Sequence, residues 1–279
     1  MEERKRAFRL IGFWGLLVLA ILWLVPFGLV LMNSFKGNLF ITSTPFAWPN
    51  SASSAGLTNF TSGVSRTGFF SALGLSAFIT VVSVAVICVL TPMTAWYIAR
   101  VKAWYTSVLF YLFVFSMIVP FDMVMFTMTW VANRTHLDNP FGIILLYTGF
   151  GAGLSVFIFT GFIRSIPIEL EEAALIDGAS PWKVFFSVIF PVLRPTAVTV
   201  AILNAMWIWN DYRLPYLVIG SNYKTIPIAV QNYMQGSYGQ KDMGGFMAML
   251  VLSIVPIVVF YLIGQRHIIK GVTAGAVKG

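Results

Sequence analysis

The stretch from Arg164 to Arg194 reads RSIPIELEEAALIDGASPWKVFFSVIFPVLR and separates two long apolar segments. Pro167 suits an early helical position. Glu169, Glu171 and Glu172 follow it, where carboxylates oppose the positive end of a helix dipole. Leu170, Ala173, Ala174 and Asp177 recur at helical spacing. Gly178 accepts the left-handed backbone that closes a helix. Ser180-Pro181 is a start signal with proline at the first position. Trp182, Val184, Phe185, Val188 and Ile189 then make a second, strongly apolar helix, and Pro191 and Pro195 punctuate entry into the next segment. The stretch therefore reads as helix, glycine turn, helix: a small rigid knob. An amphipathic helix lying on lipid is the competing reading. The acids of the first helix disfavour it, because anionic headgroups repel them, while Ala173, Ala174 and Gly178 permit close approach of another protein.

The surroundings of this knob are apolar. Of 279 residues, 58% are hydrophobic and 10% charged, with a mean hydropathy of +0.83. A water-exposed domain carries about 25% charged residues, so the outer surface faces lipid. Charge-free runs occupy Leu10–Phe35, Thr67–Ala99, Ala103–Phe121, Asn139–Ile163, Pro195–Asn210 and Met243–Gln265. A span needs about 20 mostly apolar residues. The expectation is an all-α polytopic membrane protein with six transmembrane helices, at about 11–33, 70–99, 104–130, 141–163, 193–218 and 244–265. The second run is longer than a bilayer is thick, so it tilts or extends beyond it. The first begins with Arg4, Lys5, Arg6 and Arg9, as a signal peptide would, but its apolar run is too long and no small-x-small cleavage site follows.

Basic residues set the expected orientation. With the N-terminus in the cytoplasm, twelve of the 18 Lys and Arg fall inside, among them Arg100, Lys102, Arg164, Lys183 and Arg194. Six fall outside: Lys36, Arg66, Arg134, Arg213, Lys224 and Lys241. That bias places both termini, and the knob, in the cytoplasm. The net charge of +8 is topological in this reading, not a nucleic-acid footprint, because the charges lie in short loops and tails. Cys88 is a lone thiol in an apolar run, and His136 and His267 are far apart, so no disulfide or zinc cluster is expected. Outside loops are expected at about 36–69, rich in Ser, Thr, Asn, Gly and Pro, and at about 219–243, with Tyr223, Tyr233 and Tyr238.

Polar residues inside spans are costly and mark function. On the fifth span Asn204, Trp207 and Asp211 fall at i, i+3 and i+7 and share one face, with Asn210 near its edge. An aromatic ring beside amides and a carboxylate suits a sugar, which has apolar faces and many hydroxyls. Bonds to a neighbouring helix are the alternative use of the same groups. Asp122 follows Pro120 in the third span; it could gate an outer cavity, lie near water, or pair with Arg134.

Glu172-Ala173-Ala174-x3-Gly178, nine residues, then Val188-Ile189-Phe190-Pro191 resembles the EAA loop of ABC importer permeases, usually E-A-A-x3-G-x9-I-x-L-P. Val188 replaces Ile and Phe190 replaces Leu, and both remain apolar. The tail from Lys270 to Gly279, His136-Leu137-Asp138-Asn139-Pro140-Phe141-Gly142-Ile143-Ile144, Trp209-Asn210-Asp211-Tyr212 and Thr225-Ile226-Pro227-Ile228 resemble carbohydrate importer permeases of the maltose-transporter MalG type. The similarity covers about residues 70–279, and the first 70 residues match mainly in architecture.

The resemblance implies an ABC type I importer transmembrane domain at 70–279, with its EAA loop at 164–194 serving as a coupling helix, preceded by a first helix and extracytoplasmic loop at 1–69. It implies that Glu172, Ala173, Ala174, Asp177 and Gly178 contact a cytoplasmic ATPase, while Trp182 and Phe185 pack the loop's second helix against the inner ends of the spans. It implies two ATPase subunits, a homologous second permease completing a heterodimer, and an extracytoplasmic binding protein that delivers a di- or oligosaccharide. The location is a bacterial or archaeal cytoplasmic membrane. No cofactor belongs to this chain; ATP and Mg belong to the ATPase, in keeping with the lack of a G-x-x-x-x-G-K-[ST] phosphate loop here. Three rival readings are an ABC importer for glycerol phosphate, a polyol or a peptide; an ion-coupled secondary transporter, which needs midplane carboxylates or repeated halves; and an intramembrane enzyme, which needs a nucleophile–base or metal set within the spans.

Overall fold

The computed structural model describes residues 2–220, 222–236 and 241–276, with side chains from 10 to 262. Tyr238, Lys278 and the end of the tail lie outside the described residues, as does the side chain of His267. About four fifths of the chain is helical, and the described residues hold one isolated antiparallel bridge, between Lys36 and Ser54. Among the described residues, four helices are long and apolar enough to cross a membrane: α1 (Glu2–Asn33, apolar from Leu10), α4 (Phe69–Arg100), α7 (Pro140–Ile163) and α14 (Met243–Ala276, apolar to Leu262). Two bent pairs raise the number to six if each pair is one span. Between α1 and α4 lie α2 (Asn38–Ser43) and α3 (Thr58–Thr67), so about half of the expected outer loop at 36–69 is helical.

The third and fifth expected spans are broken. α5 (Trp104–Ile118) is 15 residues long, about 22 Å at 1.5 Å per residue. A 105° bend separates it from α6 (Phe121–Arg134), so the continuous helix expected over 104–130 does not form. Pro120 explains the break: it has no N–H to continue the ladder and holds Val119 extended, at φ −71° and ψ 114°. After α8 (Glu169–Ile176), α9 (Pro181–Val184) and α10 (Phe190–Val192), the fifth apolar run forms α11 (Arg194–Asn210), which stops well short of the expected 218. Asp211 turns extended, at φ −73° and ψ 123°, and α12 (Arg213–Val218) restarts beyond it. α13 (Ile226–Gln235) occupies part of the second outer loop.

The chain forms two compact units. One comprises the described residues within Met1–Phe70 and Ala229–Pro256. Its polar ties cluster after α1. Lys36, counted above among the outer charges, is fully buried and donates from Nζ to the Thr44 and Pro45 carbonyls at 2.9 and 3.4 Å. Asn59 Nδ2 donates to the Ser34 and Lys36 carbonyls, each at 2.8 Å, and Gly244 N–H donates to Asn38 Oδ1 at 3.0 Å. Nearly the whole apolar stretch of α1 is exposed, from Leu10 to Leu31.

The other unit comprises the described residues within Ser71–Ile228 and Ile257–Gly279. α7 is central to it, packed against both α5 and α11. Ile143, Tyr147, Val156, Phe159 and Ile163 of α7 join Ile87, Phe185, Ile189 and Val200 in the core. Lipid gives helices no hydrophobic reason to associate, so they close on small residues. A Cβ at Gly153 would lie 2.8 Å from the Phe113 carbonyl oxygen and 2.5 Å from Ser116 Oγ of α5. A Cβ at Gly149 would meet nothing within 4 Å. Gly153→Ala should therefore push α5 away from α7 and cost about 1–3 kcal/mol. Thermal unfolding in detergent should fall for Gly153→Ala and not for Gly149→Ala.

Candidate functional site

The segment between α7 and α11 folds as a knob whose two helices are closed by their own backbone. α8 carries Glu169, Glu171 and Glu172 in its first turn. At its far end Gly178 sits at φ +78°, where an L side chain is strained. Gly178 N–H donates to the Leu175 carbonyl and Ala179 N–H to the Ala174 carbonyl, both at 3.0 Å. These paired bonds form a Schellman cap and satisfy carbonyls the helix would otherwise leave open. Ser180 Oγ accepts from Lys183 N–H, and Pro181 takes the first helical position of α9. Residues Phe185–Ile189 follow as one widened, π-type turn before α10. Pro191 accounts for it, since the ring lacks an N–H and crowds the carbonyl four residues back. The segment Pro181–Val192 then meets α11 at 76°.

The knob is held by a buried carboxylate. Glu171 is 6% exposed. Its Oε2 accepts from Trp96 Nε1 at 2.9 Å, and its Oε1 accepts from Arg100 Nε at 2.7 Å. Arg100 Nη2 also reaches Oε1 at 2.7 Å and donates to the Ile166 carbonyl at 3.0 Å. The pair is thus charge-assisted and shared over two nitrogens. The Trp96 ring contacts Phe185 at 5.5 Å between centroids. Trp96 and Arg100 are one helical turn apart on α4, so one face of α4 grips both halves of the knob.

The residues singled out from the sequence divide into a root and a face. Phe185 is 1% exposed and belongs to the core. Glu172, Ala173, Asp177 and Gly178 are exposed, and Ala174 is half-buried. Trp182 departs from expectation: it is 63% exposed and stacks on Phe186 rather than packing inward. Ile168, Leu170, Leu175 and Ile176 are exposed as well, Ile176 at 86%. An apolar surface beside Glu172 and Asp177 is suited to a protein partner. In the sequence Glu171 is read only as a helix-start acid, like Glu169 and Glu172, and Trp96 goes unremarked. The sequence held two separate hints, a Trp-x-x-x-Arg pair ending a span and, 71 residues beyond Arg100, an acid run in which adjacent Glu171 and Glu172 must face different ways, with nothing local to join them.

The second candidate region is an internal tie. Asn204 is 3% exposed and donates to Ser155 Oγ of α7 at 3.1 Å and to the Val200 carbonyl at 2.9 Å. Tyr147 of α7 donates to Asp211 Oδ2 at 3.0 Å and meets the Trp207 ring edge-on at 5.4 Å. Asp211 Oδ1 accepts from Arg213 N–H at 2.9 Å, capping the start of α12. Asp211 therefore lies beyond the end of α11, so the expected single face carrying Asn204, Trp207 and Asp211 is not a continuous helical face. Asn210 is exposed and bonds the Met206 carbonyl at 2.7 Å. Ser76, Thr80, Tyr147, Trp209, Asp211 and Thr225 line a small polar cleft here. Asp122 pairs with Arg213, not with Arg134, whose guanidinium lies over Trp130.

A chain whose described residues are mostly helical and include several apolar helices long enough to cross a bilayer is a multi-pass membrane protein. The chain belongs to the binding-protein-dependent transport system inner membrane component family, whose model matches residues 91–274. It is 36% identical over 270 residues to the probable starch degradation products transport system permease protein AmyC of Thermoanaerobacterium thermosulfurigenes, covering 96% of each chain. It is also 36% identical to the multiple sugar-binding transport system permease protein MsmG of Streptococcus mutans, over 95% of this chain and 97% of that one. Its fold matches a chain of a bacterial ABC transporter that imports the acidic polysaccharide alginate, with a TM-score of 0.77 at 21% identity, covering 94% of this chain and 96% of that one.

The Asp211 geometry makes a structural prediction. Asp211→Ala removes the α12 cap and the acceptor of Tyr147 together and should cost about 1–2 kcal/mol. Asp211→Asn keeps an acceptor for the backbone and should lose less, as read by thermal unfolding in detergent.

Proposed function

We propose that this chain is one membrane subunit of an ATP-driven carbohydrate importer of the MalG type. It crosses the membrane six times, counting each bent pair as one span, with both termini and the knob in the cytoplasm. Separate ATPase subunits bind ATP and Mg, a homologous second permease completes the pathway, and an extracytoplasmic binding protein delivers a di- or oligosaccharide. What carries this reading is the capped knob at 164–194, which keeps an acidic, apolar face free of its own chain while its root is buried. The family and the sugar-linked names of its relatives support the substrate class.

In this reading Glu172, Ala173, Ala174, Asp177, Gly178 and Trp182 form the surface that meets the ATPase, with Phe185 beneath them. Close approach needs the small side chains at 173, 174 and 178. The substrate pathway runs past α11, where Trp207 offers an exposed ring and Asn210 an exposed amide. Asn204 and Asp211 hold those residues in place, and Asp122 with Arg213 ties α6 to α12 near the pathway.

The test is gentle detergent purification of the full chain with its co-purifying subunits. Ile176→Glu and Gly178→Trp should each lower ATPase association about tenfold or more, with membrane insertion unchanged. Binding-protein-stimulated ATP hydrolysis should respond to oligosaccharides. A response to glycerol phosphate or a polyol instead would replace the substrate class. Uptake that survives ATP depletion but collapses with an uncoupler would overturn the ATP-driven reading.

A further inference from the structure

We propose that the Trp96–Arg100–Glu171 clamp makes the last turns of α4 the output arm of the knob. The inference rests on the reading of the knob as the ATPase-docking element, and it concerns how motion leaves that element. The knob is joined to its flanking spans at two covalent ends, after Ile163 and before Arg194. Both joints are turns or bends: Ser165 and Ile166 bond back to the end of α7, and Pro181–Val192 meets α11 at 76°. A push on the knob can be absorbed at such joints without moving either helix as a rod.

The clamp is a different kind of link. It joins the knob to a helix distant in sequence, through a carboxylate that is almost wholly buried and has both oxygens engaged. Its polar leg reaches α8 at Glu171, and its apolar leg reaches the second half of the knob at Phe185. The Ile166 carbonyl, which accepts from the same guanidinium, adds the entry turn of the knob. One face of α4 therefore holds three parts of the knob at once. Removing one partner leaves the other charge buried without compensation, so the link resists opening under load.

α4 itself has a place to bend. Pro92 lies inside it, eight residues before Arg100, and leaves the Cys88 carbonyl without its usual helical donor. Beyond Pro92 the segment carries Ala95, Trp96 and Arg100, and Ala95 and Trp96 lie in or against the buried core. Displacement of the knob by its partner is thereby delivered to α4 beyond Pro92. Glu171, Arg100 and Trp96 are positioning residues in this scheme; none of them forms the exposed docking face.

The experiment uses the complete complex in proteoliposomes and measures ATPase association, ATP hydrolysis and solute uptake together. Glu171→Gln keeps the shape of the side chain and removes its charge. ATPase should remain bound and hydrolysis should continue, while uptake per ATP hydrolysed falls about tenfold. The exchange Arg100→Glu with Glu171→Arg should recover much of that ratio. A fall in folded complex with an unchanged uptake-to-hydrolysis ratio would reduce the clamp to a structural tie and overturn the inference. Should the wild-type complex carry no ATPase at the knob, the docking reading fails and this inference with it. A second measurement holds even where Glu171→Gln folds poorly. Spin labels at Lys102→Cys and Glu169→Cys, both exposed and outside the docking face, in a Cys88→Ser background, should keep the same separation with and without trapped nucleotide. A separation that changes with nucleotide means that α4 and the knob move independently, which overturns the proposal.

Discussion

Hydrocarbon offers no water to a peptide group, so a helix in a membrane can stop only where something else takes over its open N–H and C=O groups. The breaks within the spans, at Pro120 and Asp211, obey that constraint, and those of the knob, at Pro191 and Gly178, follow the same backbone chemistry outside it. At Pro120 and Pro191 the missing donor is intrinsic to the residue, and the chain answers with a sharp bend in one case and a widened turn in the other. At Asp211 a carboxylate accepts the first N–H of α12 and, through its other oxygen, a tyrosine hydroxyl from α7. At Gly178 the backbone closes on itself because glycine tolerates the left-handed conformation. Departures from straight spans are thus concentrated at a few residues of known chemistry.

The need of a buried polar group for a partner separates root from face in the knob. Glu169, Glu171 and Glu172 are equivalent by composition, and all three favour the first turn of a helix. Burial distinguishes them. Glu171 turns toward α4, where an arginine and an indole N–H satisfy it, and Glu172 turns outward with Ala173 and Asp177. A buried ion pair of this kind is weak evidence for stability and better evidence for a fixed geometry, because breaking it by removing one partner costs about 3–5 kcal/mol. The exposed side then carries Ile176 and Trp182, residues a water-facing loop does not normally leave open.

Polar residues within the spans serve the chain's own architecture first. Asn204 and Ser155 tie α11 to α7, and Tyr147 ties α7 to the α11–α12 break. Gly151 lets α11 approach at Asn204. The ring of Trp207 and the amide of Asn210 are left exposed at the edge of that scaffold. Lys36 shows the same economy in the other unit: a basic residue expected on an outer loop is buried, with its ammonium held by two backbone carbonyls.

Hydropathy alone located the long helices to within a few residues at most of their ends: Phe69–Arg100 against 70–99, and Pro140–Ile163 against 141–163. Gly178 and Ser180-Pro181 announced the turn of the knob, because cap chemistry is local and each cap is written within a few neighbouring residues. The tertiary structure alone decided the rest. Whether Pro120 kinks or folds a span by 105°, whether Asp122 pairs with Arg134 or Arg213, and which of two adjacent glutamates is buried all depend on groups far away in sequence. Arg100 and Glu171 are 71 residues apart, and no local pattern carries information over that distance. A one-dimensional pattern reports which groups must be satisfied; only the packed chain determines by whom.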